Sequence, residues 1–160
     1  MTVVRMLLVR HGHAGTKEGW SGDDRLRPLD ARGRRQAEHL VGVLSPWRPS
    51  RIVSSPYLRC LQTMEPLAAT TGLRAEHDDA LTPVHVRRAV ELVRRLSSAT
   101  AADGVVVCTH GEVRGEVLAE LRAADGLALG RRVPGPKGCV WVIDFELGRA
   151  SAARYVAPRR

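Results

Sequence analysis

Two short apolar runs each end in a histidine and a glycine, and this repetition constrains the chain more than any other feature. Met6-Leu7-Leu8-Val9 leads into Arg10-His11-Gly12, and Val105-Val106-Val107-Cys108 leads through Thr109 into His110-Gly111. Runs of this length, apolar throughout rather than alternating, are the pattern of strands buried on both faces in a parallel sheet. In an open α/β sheet the carboxyl ends of such strands form the crevice where ligands bind, so the two histidines are expected at one edge. A third run, Arg51-Ile52-Val53-Ser54, continues into Ser55-Pro56-Tyr57-Leu58-Arg59 and brings an arginine to the same edge. Two imidazoles with Arg10 and Arg59 point to phosphate chemistry in which one imidazole attacks phosphorus.

Between these landmarks strands and helices alternate. Val3 to Val9 reads as the first strand, and Thr16 to Pro28 as a polar, glycine-containing loop over its end. Asp30 is placed to cap a helix from Ala31 to about Leu44, with Ala37, Leu40, Val41 and Leu44 at helical spacing. Ser45-Pro46 and Pro49 stop it before the strand at 51–54. A helix from Tyr57 to Thr71 is closed by Gly72, a strand follows at Arg74 to Asp78, and Val84 to Ser98 reads as a third helix. Asp103-Gly104 turns into the strand Val105 to Cys108, and a helix from about Glu112 to Ala124 comes next. After a loop from Gly126 to Gly138, Cys139 to Phe145 and Ala152 to Val156 form an edge hairpin about Leu147-Gly148-Arg149. The expectation is an α/β fold: a three-layer α/β/α sandwich whose mostly parallel sheet carries an antiparallel edge. At 160 residues it reads as a single domain, 1–160, with a proper core and no room for a second.

The net charge of +8 and pI near 10.6 raise a nucleic-acid partner, but the pattern of the charge argues against one. Lysine occurs only at Lys17 and Lys137; the rest of the charge is arginine scattered as Arg34-Arg35, Arg87-Arg88, Arg94-Arg95, Arg131-Arg132 and Arg159-Arg160. Aromatic residues, needed for base stacking, make up only 4% of the chain. A solvated arginine-rich surface that draws anionic substrates is the expectation, with no nucleic-acid and no membrane partner. No apolar stretch approaches the length of a span, and no leader precedes the first strand, so the chain reads as cytoplasmic. Cys60, Cys108 and Cys139 share no metal-ligand spacing and read as reduced thiols.

At the crevice, Arg10 and Arg59 offer planar donor forks for phosphoryl oxygens. Neutral His11 is the expected nucleophile, and His110 the donor that stabilises charge on the transferred group. Gly12 is expected to let the backbone approach a ligand and to aim its amide at an anion. His11-Gly12-His13 with His110 also raises a metal site, disfavoured because no carboxylate partner is evident; neither metal nor cofactor is expected. His39, His77 and His85 read as exposed. Trp20 is a candidate cover for a substrate ring, or a residue packed within its own loop.

Four segments in order resemble the histidine phosphatase superfamily, the phosphoglycerate mutase-like proteins. They are Leu8-Val9-Arg10-His11-Gly12, Arg27-Pro28-Leu29-Asp30-Ala31-Arg32-Gly33-Arg34-Arg35-Gln36-Ala37, Ser54-Ser55-Pro56-Tyr57-Leu58-Arg59-Cys60-Leu61-Gln62-Thr63 and Thr109-His110-Gly111-Glu112. The resemblance implies a phosphoglycerate mutase-like fold and a phosphatase phosphorylated on His11, with Arg10, Arg59 and His110 completing the phosphate pocket. It also implies Gly111 beside the phosphate and Arg27 as a further substrate contact. Arg27-Pro28-Leu29 and Leu81-Thr82-Pro83 are similar to small SixA-type phosphohistidine phosphatases. Gly22-Asp23-Asp24, Gln62-Thr63-Met64-Glu65-Pro66-Leu67-Ala68 and Lys137-Gly138-Cys139-Val140-Trp141-Val142 resemble the phosphatase domain of actinobacterial Nudix hydrolases. The chain is then a stand-alone relative or a separated domain.

Larger members of the family place a glutamate as general acid where this chain reads Ala80-Leu81-Thr82-Pro83. That departure favours substrates that need little protonation on leaving, such as protein phosphohistidine first and small phosphates or nucleotides second. Glu112 is a substitute acid, or a glutamate stabilised at a helix start. Asp23, Asp24, Asp78 and Asp79 are weaker candidates. A non-catalytic phosphate- or partner-binding module on the same fold is the reading of another class.

Overall fold

The computed structural model of the protein describes residues 2–98 and 104–159. Asp103, in the expected turn before the fourth strand, lies outside them. Six strands form one sheet: β1 (Val3–Arg10), β2 (Arg51–Ser54), β3 (Ala75–His77), β4 (Val105–Thr109), β5 (Val140–Glu146) and β6 (Arg149–Val156). Four helices cover it: α1 (Ala31–Leu44), α2 (Leu58–Thr71), α3 (Val86–Ser97) and α4 (Gly111–Asp125). The order across the sheet is β3-β2-β4-β1-β5-β6. The first four strands in that list are parallel to one another, and β5 runs antiparallel to both β1 and β6. The β5–β6 pair is a hairpin with only Leu147 and Gly148 between its strands, whereas β5 itself enters antiparallel to β1 after α4 and the loop that follows it.

Period-two alternation along the buried strands builds both faces of the core. Val4, Met6 and Leu8 of β1, with Val105 and Val107 of β4, face Leu92, Val93, Val117 and Leu121 on α3 and α4. Leu7 and Val9, with Val106 and Cys108, face Leu40 and Leu44 of α1 and Met64 and Leu67 of α2. Each such apolar side chain taken out of water contributes about 1.5–3 kcal/mol. Asp30 caps α1 as expected, accepting from the Gly33 amide at 2.8 Å. Gly72, with φ 73°, closes α2. The loop from Thr16 to Pro28 is not wholly irregular: Asp24–Leu26 forms one turn of 3-10 helix, capped by Asp23. Among the described residues no helix is long and apolar enough to cross a membrane.

Candidate active site

Strand register brings the two histidines together. Arg10 pairs with Thr109 across β1 and β4, so the residues that follow, His11 and His110, leave the sheet side by side. The His11 amide extends the ladder by donating to the Thr109 carbonyl at 3.0 Å. The two rings meet edge to face with centroids 5.3 Å apart, and both are buried. Ser54 pairs with Cys108 on the other side of β4, which sets Ser55 beside His110: its hydroxyl lies 2.9 Å from His110 Nε2. Tyr57, next in the chain, stands edge to face with His110 at 4.8 Å and beneath the Arg59 guanidinium at 4.9 Å.

His11 Nδ1 lies 2.8 Å from the Gly12 carbonyl, and Arg59 Nε donates to His11 Nε2 at 3.3 Å. A carbonyl accepts only, so the ring proton sits on Nδ1 and the Nε2 lone pair is the one that accepts from Arg59. Burial, with smaller contributions from His110, Arg59 and Arg10, outweighs the Gly12 carbonyl and pushes the His11 pKa down to about 2. The imidazole is therefore neutral at ordinary pH, the form required of a nucleophile.

Asp24 ties two arginines to this ring. Its carboxylate accepts from Arg27 Nε at 2.8 Å and Arg59 Nη2 at 3.1 Å, and its carbonyl accepts from Arg59 Nη1 at 2.8 Å. Burial opposes its ionisation, but the hydrogen bond from Arg27 and the charges of Arg59 and Arg27 hold it below the usual carboxylate range. Arg27 also donates to the Ala14 carbonyl at 2.7 Å. Arg10 reaches the other way, donating to the Gly135 carbonyl at 2.5 Å, while its Nε is buried without a protein partner among the described residues. The buried Arg114 of α4 lies behind it. Burial and the neighbouring Arg114 charge lower the Arg10 pKa.

The cavity formed by these groups is about 590 Å³ and is lined by Arg10, His11, Arg27, Arg59 and His110, together with Lys17, Lys137, Asp24, Tyr57 and Glu112. Every side chain named from the sequence for the phosphate pocket thus lines it. Glu112 is exposed in the first turn of α4. Gly111 lies directly against Arg10, where an added Cβ would meet Cζ at 2.8 Å.

Gly12 requires a correction. Its amide donates to Thr63 Oγ1 at 3.0 Å rather than being free for an anion, and an added Cβ would meet the Gly33 carbonyl at 2.9 Å. Its small size lets the segment that follows His11 cross the start of α1. The missing carboxylate for His13 is also corrected: His13 Nδ1 is paired with Asp30, and that ring is thereby engaged at the α1 cap. Among the described residues no group of three or more His, Cys, Asp or Glu side chains is arranged to hold a metal ion. Trp20 donates through its indole to the Asp23 carbonyl at 3.0 Å and does not line the cavity. His77 and His85 are exposed and His39 is half-buried. The sequence assigned no role to Ser55, Tyr57, Thr63 or Lys137 and ranked Asp24 low. Only Lys137 carried a visible signal, as one of two lysines in an arginine-rich chain.

The sheet order, the strand-end histidines and the converging arginines define the class: an α/β protein with a cationic, two-histidine crevice at one edge of its sheet. The chain belongs to the histidine phosphatase superfamily (branch 1), whose family profile matches residues 6–86. It is 34% identical over 158 residues to an 8-oxo-(d)GTP phosphatase of Mycolicibacterium smegmatis, a match covering 96% of this chain and 48% of that protein. The chain thus spans about half the length of this curated relative. Among solved structures it resembles the protein histidine phosphatase SixA complexed with tungstate, with a TM-score of 0.75 at 22% identity over 97% of this chain and 96% of that one. It also resembles the mycobacterial glucosyl-3-phosphoglycerate phosphatase complexed with VO3, with a TM-score of 0.70 at 19% identity over 88% of this chain and 92% of that one. At those identities the structures establish the shared phosphoglycerate mutase-like fold.

Proposed function

We propose that the protein is a metal-independent phosphatase that works through a phosphohistidine on His11. The observation that carries this reading is the paired state of the His11 ring: Nδ1 at the Gly12 carbonyl, Nε2 accepting from Arg59, and three arginines and His110 lining the same cavity. Nε2 attacks phosphorus in line with the leaving oxygen. Arg10, Arg27, Arg59 and His110 bind the phosphoryl oxygens and stabilise the charge that builds on them. The proton on Nδ1, held by Gly12, balances the phosphorylated ring. Water then attacks phosphorus, the N–P electron pair returns to Nε2, and inorganic phosphate leaves. A cavity so rich in cations repels a divalent metal and supplies its electrostatic role itself. Gly111 contributes by its size, admitting the Arg10 guanidinium.

For the substrate, we place nucleoside phosphates ahead of protein phosphohistidine. A second cavity of about 750 Å³ shares Tyr57 and Val84 with the first, and the exposed apolar side chains of Leu26 and Val84 line it. It offers an apolar seat for a leaving group whose phosphate is anchored at His11, a size suited to small ligands. The 8-oxo-(d)GTP phosphatase of M. smegmatis, similar over nearly the whole of this chain, supports the same order. Three buried free cysteines suit the reducing cytoplasm.

The test is a turnover panel in EDTA with a rapid acid-free quench. Nucleoside di- and triphosphates, a phosphohistidine carrier protein, phosphoglycerate and p-nitrophenyl phosphate are compared. Wild type forms an acid-labile, base-stable phosphoenzyme, and His11→Ala forms none and loses about 10⁴-fold or more in turnover. Full activity in His11→Ala would end the assignment. Preference for the carrier protein would reverse the substrate order, and no turnover of any substrate would leave a phosphate-binding module.

A further inference from the structure

Of the 25 lysines and arginines in this chain only Lys17 and Lys137 are lysines, and both line the cavity that holds His11. Arginine serves everywhere else. The two side chains carry the same charge but differ in one chemical respect: a guanidinium does not release its proton in the working pH range of a protein, and an ammonium can. Lys17 is exposed on its loop, whereas Lys137 is half-buried and fixed from several sides. The Gly138 amide, one residue on, donates to the carbonyls of Arg10 at 3.1 Å and His11 at 3.0 Å. Gln36 Nε2 donates to the Lys137 carbonyl at 3.1 Å, and Lys137 Nζ donates to the Gly15 carbonyl at 3.4 Å. The backbone of this residue and the tip of its side chain are thus tied to the segments on either side of His11.

We propose that Lys137 is a further catalytic residue, the proton donor to the oxygen that leaves phosphorus when His11 attacks. The proposal rests on the phosphohistidine reading above. It supplies a proton that the stretch Ala80-Leu81-Thr82-Pro83, whose Pro83 lines the cavity, cannot supply, since it carries no titratable side chain. The carboxylates of the cavity are poorer donors. Asp24 is held ionised by two arginines, and Glu18 and Glu112 are exposed to water. Arg10 from β1, Arg27 from the loop before α1 and Arg59 from α2 act on Lys137, as does Asp30 at the α1 cap. His11, His110, Tyr57, Lys17, Asp24, Glu18 and Glu112 are the other titratable groups that line the cavity. Burial comes first, and with the three arginines it outweighs Asp30, holding the ammonium below its ordinary pKa and closer to working pH.

The proton and electron balance closes without another reagent. As the N–P bond forms at Nε2, the P–O bond breaks, its electron pair stays on the leaving oxygen, and that oxygen takes a proton from Nζ. The neutral amine then accepts a proton from the water that attacks phosphorus, and the N–P electron pair returns to Nε2. Lys137 ends the cycle protonated, as it began.

A series of substituted phenyl phosphates, from p-nitrophenyl to unsubstituted phenyl, tests this on wild type, Lys137→Arg and Lys137→Met. A proton donor matters most for the poorest leaving group. Both variants are expected to lose about 10³-fold in kcat on phenyl phosphate and about tenfold on p-nitrophenyl phosphate. Equal losses along the series would reduce Lys137 to a phosphate-binding charge, and wild-type rates in Lys137→Arg would overturn proton donation outright. Vanadate binding reports that the variants keep a formed pocket. Phosphoenzyme trapped from p-nitrophenyl phosphate separates this proposal from the one beneath it: the Lys137 variants still form it, and its absence in wild type would remove both.

Discussion

The two His-Gly strand ends look alike in sequence and are built differently. At the β1 end, His11 binds the carbonyl of the next residue, and Gly12 spends its amide on Thr63 while lying against Gly33 of α1. Its Nε2 faces Arg59. At the β4 end, His110 is the residue before α4, its Nε2 beside the Ser55 hydroxyl, and Gly111 lies beneath the Arg10 guanidinium. One end thus presents an unprotonated Nε2 with the ring proton fixed on the far side. The other sets its ring against a serine and makes room for an arginine. The comparison teaches that a repeated motif at neighbouring strand ends divides labour through what each glycine touches, not through the histidines alone.

The largest test of that division sets His11→Ala beside His110→Ala. Loss of the nucleophile removes the phosphoenzyme altogether. Loss of His110 leaves the nucleophile in place and removes one charge-stabilising donor, which costs about 10²–10³-fold in kcat. The phosphoenzyme should still form in His110→Ala, slowly, in a single-turnover quench. A His110 variant that never phosphorylates, while still binding vanadate, would erase the distinction between the two ends.

The glycines sharpen the contrast one step down in size. In Gly111→Ala the new methyl group meets the end of an arginine side chain, so Arg10 must swing away from its place at the cavity. Fold stability should hold while kcat/KM falls about 10- to 100-fold, the worth of one charge-assisted contact of about 1.5–3 kcal/mol. In Gly12→Ala the methyl group meets backbone of α1, which has no rotamer to yield. That variant should lose about 1–3 kcal/mol of stability, read by urea unfolding. If Gly111→Ala destabilised the fold and left kcat/KM intact, the assignment of the two glycines would be reversed.

How much of this was legible follows from the range of each interaction. Arg10, His11, Arg59 and His110 could be named from the chain because each closes a buried strand, directly follows one or sits in the first helical turn after one, and strand ends of a parallel sheet share an edge. The antiparallel hairpin was legible for the same local reason, a two-residue turn. The order β3-β2-β4-β1-β5-β6 was not, since alternation fixes parallel pairing without fixing neighbours. Asp24 was hidden because its importance lies in the path of a loop that folds back 35 residues in sequence to reach Arg59. Asp30 was read as a cap and is one, yet its contact with His13 spans 17 residues and has no periodic signature. Gly12 was misread for a related reason: a glycine before a loop looks the same whether it admits a ligand or a helix.

Ser55 provides the smallest test, and the one that depends most on the His110 end being a positioned donor. Its hydroxyl lies 2.9 Å from His110 Nε2 and also accepts from the Tyr57 amide at 3.3 Å, so it fixes the ring against β2 without touching the phosphoryl site. A neutral hydrogen bond of this kind has a net worth of about 0.5–1.5 kcal/mol. Ser55→Ala should therefore lower kcat about 2- to 10-fold with KM nearly unchanged, because the ring is loosened rather than removed. The effect must vanish in a His110→Ala background, where nothing is left to position. A Ser55 loss that persists there would mean that the hydroxyl acts on substrate directly, and the division between a reactive end and a positioned end would then need a third member.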